Sequence, residues 1–339
     1  MNVAIIGCGA IARKRHAPAL SSYRGAGFHA VCDPVKTNAD DMARTYQVKA
    51  YYDIDTLLCE KDLDAVILCT PERFHKEHVI KALRAGKHVL CEKPLAVNAV
   101  EAEEIVKEWK KTDRKLMVAF SQRTYKMHTM AKQMVLDGKI GSPIFFRTNL
   151  TQKGAEYTTL AGAQPDFYDK YLKNIGGVLL AVGCHRIDLV DYLFDAHIEA
   201  VQAFTPTIDK KYESGQKIDA EDHALINARL SNGLAGLIWV SWSNYGKAEN
   251  ETVVYGTEGV LRTFEGKGIK ICYKDGTEEE FDTSVDYDEY QNITNCFLDT
   301  LTLDKKMVAD GMDGYRCMRV IDAVRESNDS GGWVLVEEK

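Results

Sequence analysis

The sequence predicts a two-part α/β chain. Residues 1–121 should form a doubly wound parallel sheet, and residues 122–339 an α+β domain built on a large, open, mostly antiparallel sheet. Three observations carry this expectation. The apolar run Val3-Ala4-Ile5-Ile6 leads straight into the glycine turn Gly7-Cys8-Gly9-Ala10-Ile11-Ala12. Apolar segments then alternate with helix-length segments through the first third of the chain, the rhythm of parallel strands joined by crossover helices. Past residue 140 the apolar segments follow one another with only turn signals between them, the rhythm of hairpins.

Residues 3–6 read as a strand covered on both faces, because nothing polar interrupts them. The G-x-G-x-x-A spacing lets Gly7 make a tight turn and the backbone at Gly9 approach a diphosphate, while Ala12 is small enough for helix–strand packing. The free N–H groups at the start of the next helix suit an anion, so Gly7, Gly9, Ala10, Ile11 and Ala12 are candidate dinucleotide contacts. Residues 28–32 form a second strand with Asp33 at its end, 24 residues after Gly9. A carboxylate there can accept hydrogen bonds from both ribose hydroxyls of NAD. No arginine follows it, so a 2′-phosphate would meet a like charge; NAD is expected over NADP, with Lys36 the one residue nearby that blurs the preference.

A helix over 38–46, a short strand over 50–52 and a helical turn over 55–59 follow. The strand 64–69 ends at Thr70-Pro71, and the helix 77–84 is stopped by Gly86. The strand 88–91 ends at Glu92-Lys93-Pro94; Asn98 and Glu101 make a capping box for a helix to Lys110, and 115–120 is the sixth strand. Ligands of such sheets lie beyond the carboxyl ends of the strands, where Gly7, Asp33, Thr70 and Lys93 all fall. Thr70, Pro71 and His75 stand where a nicotinamide ribose would pass, or simply open a helix. Arg13, Lys14, Arg15 and His16 face either phosphates or solvent.

In the second half, strands are expected over 144–151, 199–205, 223–230, 234–242, 251–255, 260–264 and 269–273, joined by turns such as Ser231-Asn232-Gly233 and Asp275-Gly276. Helices over 185–194, 292–302 and 313–327 should cover one face, and the last of them can pack back on the first domain. The other face, where Ile238-Trp239-Val240-Ser241-Trp242 alternates, is left for a second subunit, so a homodimer or homotetramer is expected.

With 339 residues the chain can bury a sizeable core; 43 basic against 50 acidic side chains leave a net charge of -7, which supplies no cationic field for nucleic acid or an anionic membrane. No apolar run approaches the roughly 20 residues of a membrane helix, and the chain enters a strand at once, leaving no room for a signal peptide. Nine cysteines, odd in number and several inside apolar strands, fit a reduced, cytoplasmic protein without structural disulfides.

Two constellations carry chemistry. A lysine at Lys93, partly desolvated, can donate a hydrogen bond to a substrate oxygen or relay its proton; read alone, it is equally a surface lysine before a loop proline. The Lys93–Pro94 bond is expected to be cis. In Gly176-Gly177-Val178-Leu179-Leu180-Ala181-Val182-Gly183-Cys184-His185-Arg186-Ile187-Asp188, His185 and Asp188 share a helix face. The imidazole can take a hydroxyl proton as hydride leaves carbon, or the pair can be a helix-end histidine and a solvated carboxylate. Arg123, Tyr125, Tyr168, Tyr171 and Lys173 are candidate contacts to hydroxyls or a carboxylate, and 152–174 is the expected specificity loop. For a metal, only His185, Asp188 and His223 come into consideration, without ligand-like spacing; none is expected.

The glycine turn, Glu92-Lys93-Pro94, residues 119–123, Asp137-Gly138-Lys139-Ile140-Gly141, the Gly176 to Asp188 stretch and the terminal Asp313-Gly314 helix before Gly332-Trp333-Val334 occur in an order that resembles the Gfo/Idh/MocA oxidoreductases, the glucose-fructose oxidoreductase and inositol dehydrogenase family. The resemblance spans essentially the whole chain. It implies an N-terminal Rossmann domain, a C-terminal sheet used for oligomerisation and an NAD(P)-dependent reaction on a sugar, cyclitol or related polyol. It assigns the catalytic lysine to Lys93 and the catalytic histidine to His185. One departure stands out: four residues before the histidine, where the family usually carries aspartate, this chain has Ala181. Asp188, Asp169 or Asp222 could take over, or the chemistry could differ. Beside a sugar or cyclitol dehydrogenase, two other activities fit: a redox-neutral elimination or hydrolysis through a transient keto sugar, and a catalytically silent sugar or dinucleotide sensor.

Overall fold

The computed structural model describes residues 1–157, 167–169, 172, 176–264, 268–283 and 289–336. The chain divides into two compact units, Met1–Ser121 with Asp288–Met318, and Gln122–Tyr287 with Arg319–Lys339.

The first unit is built on β1 (Asn2–Ile6), β2 (Gly27–Cys32), β3 (Lys49–Tyr51), β4 (Ala65–Leu68), β5 (His88–Cys91) and β6 (Leu116–Val118). They form one parallel sheet in the order β3-β2-β1-β4-β5-β6. Strand order reverses between β1 and β4, which is where such sheets open a ligand crevice. Val3, Ala4 and Ile5 are fully buried, as an uninterrupted apolar strand between two helical layers must be. The helix after the glycine turn is less regular than expected: a π-helical turn, Ala12–His16, precedes the α-helix Ala17–Ser22. Arg13 is spent in the fold there, its Nε donating to the Cys8 carbonyl at 2.9 Å and its Nη2 to the Asn38 carbonyl at 2.8 Å. Asn98 caps the helix Ala99–Trp109 by accepting the Glu101 N–H. Two distant helices complete the unit. Ile293, Phe297 and Leu298 of Glu289–Thr302 join the core around Val3 and Ile5, and Gly314 of Gly311–Ser330 lies so close to Leu95 that a Cβ would sit 2.8 Å from its Cδ2.

The second unit holds nine strands: β7 (Pro143–Thr151), β8 (Ile198–Phe204), β9 (His223–Leu230), β10 (Ala235–Ser241), β11 (Glu249–Gly256), β12 (Gly259–Phe264), β13 (Gly268–Tyr273), β14 (Glu278–Asp282) and β15 (Val334–Leu335). Their order is β14-β13-β12-β11-β7-β10-β9-β8-β15. It is not a plain succession of hairpins, because β7 runs parallel to β10 and separates it from β11. β14 escaped the sequence pattern because it is an edge strand whose half-buried face carries Glu279 and Phe281, a single apolar residue among four acidic ones. The helix Lys126–Leu136 was also unexpected; it packs with Cys184–Phe194 on one face of the sheet, where the Phe146 and Phe194 rings lie 5.2 Å apart. Phe145, Leu225 and Trp239 point to the opposite face, with Phe145 and Leu225 exposed.

His128, fully buried on Lys126–Leu136, donates from Nδ1 to the Gln122 carbonyl at 2.8 Å, while its Nε2 has no partner among the described residues. Burial, followed by the Arg186 charge, pulls its pKa down to about 3. The unfolded chain therefore binds a proton that the folded chain refuses, and stability is lost as pH falls from the ordinary histidine range towards 3. Between pH 7 and 5.5 this residue should cost about 1 kcal/mol. His128→Asn, which keeps the donor to Gln122, is expected to remove that share of the difference in urea denaturation between the two pH values.

Candidate active site

In the first unit, the glycine turn closes β1. Gly7 has φ +91°, and a Cβ there would fall 2.7 Å from the carbonyl carbon and oxygen of Cys69, so the residue is required by both conformation and strand-end packing. Gly9 differs: a Cβ would meet nothing within 4 Å. Gly9 and Ala10 are exposed, Ile11 is half-buried and Ala12 is fully buried against the sheet. Asp33, nearly buried, holds the turn in register: its Oδ2 accepts the Cys8 N–H at 2.8 Å and its Oδ1 the Val35 N–H at 2.9 Å. Burial, and then the Asp33 charge, push the Cys8 thiol up to about 12, so it stays protonated at neutral pH. An open glycine backbone at a helix start, with a carboxylate at the end of the neighbouring strand, fits the diphosphate and ribose of NAD.

Thr70 and Pro71 end β4, and Glu92-Lys93-Pro94 ends β5, its neighbour in the sheet. The Lys93–Pro94 peptide is cis. Lys93 is half-buried. Glu92 is buried beneath it, with Oε1 2.9 Å from His16 Nε2 and Oε2 accepting the Lys93 N–H at 3.1 Å. Burial raises this carboxyl, but the hydrogen bond and charge of His16 and the charge of Lys93 outweigh it and hold Glu92 below the usual carboxylate range. His75 is 1% exposed, and its two ring nitrogens face the carbonyls of Pro94 at 2.7 Å and Thr70 at 2.8 Å; burial lowers its pKa, so the neutral ring has a single N–H and donates to one of the two.

In the second unit, the π-helical turn Leu179–Gly183 runs into the helix Cys184–Phe194, and His185 lies buried in its first turn. Ala181 sits in the π-helical turn. None of the three carboxylates that could stand in for the missing aspartate is idle. Asp188 is bound by Arg123 in two-point fashion, Nε to Oδ2 at 3.0 Å and Nη2 to Oδ1 at 2.7 Å, with side chains 9% and 1% exposed. Asp222 is fully buried, accepting the backbone N–H groups of Ile208, Asp209 and Lys210 and facing His223 Nδ1 at 2.8 Å. Asp169 accepts the Glu213 N–H at 2.9 Å. Removing Arg123 should therefore destabilise the unit: Arg123→Met leaves a buried carboxylate without its guanidinium, and a loss of about 3–5 kcal/mol is expected in denaturant unfolding.

Tyr168 donates to Glu156 Oε2 at 2.5 Å; Lys210, only 3% exposed, donates to Glu156 Oε1 at 2.7 Å and to Tyr245 at 3.0 Å. Burial, and then Glu156, raise the Tyr168 phenol far above its ordinary value, so it remains a donor. This cluster was missed because Lys210 lies 54 residues from Glu156 and carries no local signature. Glu221 was missed too: its Oε1 accepts the Leu179 N–H at 3.0 Å, and a Cβ on Gly177 would fall 2.3 Å from its carboxyl carbon. Burial raises the Glu221 pKa. Lys173 and Tyr171 lie outside the described residues. Among the described residues no three histidine, cysteine, aspartate or glutamate side chains group as a metal site, and no helix is long and apolar enough to cross a membrane.

Comparison with known proteins bears on both units. Residues 1–120 match the model of an oxidoreductase family with an NAD-binding Rossmann fold, and residues 128–262 match the GFO/IDH/MocA C-terminal domain. Myo-inositol 2-dehydrogenase of Thermotoga maritima is 26% identical over 354 residues, covering 100% of this chain and 99% of its own. Glucose-6-phosphate 3-dehydrogenase of Bacillus subtilis is 30% identical over 236 residues, 68% of this chain and 64% of its own. A solved levoglucosan dehydrogenase, in complex with NADH and levoglucosan, superposes with a TM-score of 0.89 at 23% identity over 100% of both chains, which establishes the shared fold. The glycine turn and lysine turn of the first unit and the sheet of the second thus fall under the two halves of a single family description, and this chain belongs to the Gfo/Idh/MocA oxidoreductases.

Proposed function

We propose that the chain is an NAD-dependent dehydrogenase or reductase acting on a CH–OH group of a sugar, sugar derivative or cyclitol. The observation that carries this reading is the placement of the Gly9 opening, Asp33 and Lys93 at the carboxyl ends of strands of one parallel sheet, on either side of its switch point. The relatives with dehydrogenase names act on inositol and glucose 6-phosphate, which supports a polyhydroxylated substrate. NAD, when bound, supplies the hydride acceptor or donor.

Gly7, Gly9, Ala10, Ile11 and Ala12 hold the diphosphate, and Asp33 the ribose hydroxyls. Thr70, Pro71 and Glu92 shape the nicotinamide end, with His75 acting from within. The Lys93 ammonium polarises the substrate oxygen, and the His185 imidazole takes up or returns the hydroxyl proton. Arg123 and Asp188, bound to each other, brace the helix that carries His185; Tyr168 and Lys173 belong to the specificity loop. With alanine at 181, no carboxylate is assigned to proton transfer.

The enzyme works as a homodimer or homotetramer in the cytoplasm, a second copy covering Phe145, Leu225 and Trp239. Sedimentation of a monomer at micromolar concentration would refute that assembly. The activity itself is tested by following NADH formation with NAD+ or NADP+ and a panel of myo-inositol, glucose 6-phosphate and levoglucosan. Turnover with NAD+ at a kcat/KM at least about tenfold above that with NADP+ is expected, because the Asp33 carboxylate repels a 2′-phosphate. No turnover on any panel member, together with no NADH binding by calorimetry, would sink the proposal.

A further inference from the structure

The turn that carries Lys93 is gripped from both sides by buried histidines. On the Glu92 side, the fully buried His16 places Nε2 2.9 Å from Glu92 Oε1 and Nδ1 2.9 Å from Thr294 Oγ1, and Glu92 Oε2 in turn accepts the Lys93 N–H at 3.1 Å. A carboxylate can only accept, so Nε2 is the protonated nitrogen in that contact. On the Pro94 side, His75 places Nδ1 2.7 Å from the Pro94 carbonyl and Nε2 2.8 Å from the Thr70 carbonyl. His16 closes the π-helical turn that follows the glycine motif, Thr294 lies on a helix 278 residues away, and Thr70 ends the neighbouring strand. A neutral His75 has one N–H for its two carbonyl neighbours, and with that N–H on Nδ1 the backbone on both flanks of Lys93 is tied to the π-helical turn ending at His16, to the helix of Thr294 and to the helix His75–Arg84, through buried side chains.

Resting on the reading of Lys93 as the catalytic residue, we propose that His16 and His75 are positioning residues that clamp the Lys93 turn, His16 through Nε2–H to Glu92 and His75 through Nδ1–H to the Pro94 carbonyl. A displacement of about 1 Å in a proton donor costs on the order of 100-fold in rate, so a clamp of this kind shows in kcat rather than in binding. Both rings are buried, His16 wholly and His75 to within 1%, and face groups of the protein itself.

Amide isosteres separate the two nitrogens of each ring. Asparagine places its NH2 where Nδ1 stands, and glutamine can reach the position of Nε2. His75→Ala and His16→Ala are expected to lower kcat about 10- to 100-fold, with KM and the NADH dissociation constant from fluorescence titration each within about threefold of wild type. His75→Asn should recover about tenfold over His75→Ala while His75→Gln stays at the alanine level; at position 16 the order reverses, with His16→Gln recovering and His16→Asn not. Turnover is read with NAD+ on the same three-compound panel.

A second readout needs no turnover: reductive methylation of the apoprotein with formaldehyde and cyanoborohydride, quantified at Lys93 by peptide mass spectrometry with the exposed Lys111 as internal reference. Methylation of Lys93 should speed up in both alanine variants and return towards wild type only in His75→Asn and His16→Gln. Because each Asn/Gln pair differs by one methylene, a shared loss of folding would depress both members alike and would show in their melting curves. Unchanged Lys93 methylation in the alanine variants, or equal recovery by Asn and Gln at either position, overturns the clamp. If instead methylation follows the expected order while Lys93→Met turns over as fast as wild type, the clamp stands and the assignment of Lys93 to catalysis falls.

Discussion

Lys93→Met is expected to lower kcat by a factor of about 10²–10⁴ while leaving NADH binding within about threefold, the range for loss of a positioned proton donor. The thioether fills nearly the same volume as the lysine stem, so packing is kept and the ammonium alone is removed. The backbone N–H of Lys93 donates to Glu92, and methionine retains it, so the turn should persist. The Glu92 carboxyl keeps its hydrogen bond from His16, the first of the contacts that hold it below its usual range. The discriminating measurement is the pair of kcat on the best panel compound and NADH fluorescence titration. A variant that loses NADH binding and turnover in step would make Lys93 a cofactor ligand only.

The two glycines of the opening turn should respond to alanine in opposite ways. At Gly7, φ of +91° and a Cβ 2.7 Å from the Cys69 backbone leave no room on either count. The left-handed conformation costs about 1–2 kcal/mol and the forced repacking about 1–3 more, so Gly7→Ala should lower the melting temperature by about 10 °C. At Gly9 a methyl group projects into free space, and Gly9→Ala should melt within about 1 °C of wild type. In the proposed cofactor arrangement the diphosphate approaches this backbone, and NADH affinity should fall about 100-fold, equivalent to about 2.7 kcal/mol. Calorimetry and a melting curve on both variants suffice; a Gly9→Ala protein that binds NADH normally would remove the diphosphate from this turn.

Legibility followed locality. The strand 3–6, the turn after it, Asp33 at the end of β2 and the lysine at the end of β5 are short-range patterns; the strand is β1 of one parallel sheet, and the other three follow the carboxyl ends of its strands. The position of β7 between β10 and β11 was not legible, because a strand inserted between two hairpin neighbours leaves no mark on their own alternation. β14 was invisible for a different reason: every second residue is half-buried, but with four acidic residues and only Phe281 apolar its residue types carry no period. At the candidate site, the sequence offered residue types, but their engagements were not foreseeable. Asp188 reads as a carboxylate beside His185, and only packing brings Arg123, 65 residues earlier, onto both of its oxygens. Likewise nothing beside His75 in the sequence shows that its ring faces the carbonyls of Pro94 and Thr70.

Taken alone, the amino-acid sequence determined the alternation of elements, the glycine turn, the carboxylate that ends β2 and the family to which the chain belongs, since each is written in residues a few positions apart whose spacing physics constrains directly. Tertiary structure decided which polar groups are already spent. Arg13 on the Cys8 and Asn38 carbonyls, Glu92 between His16 and the Lys93 N–H, and Asp222 under three backbone N–H groups are outcomes of burial. A buried donor or acceptor must find a partner wherever the fold supplies one, and that choice is made across the whole chain rather than along it.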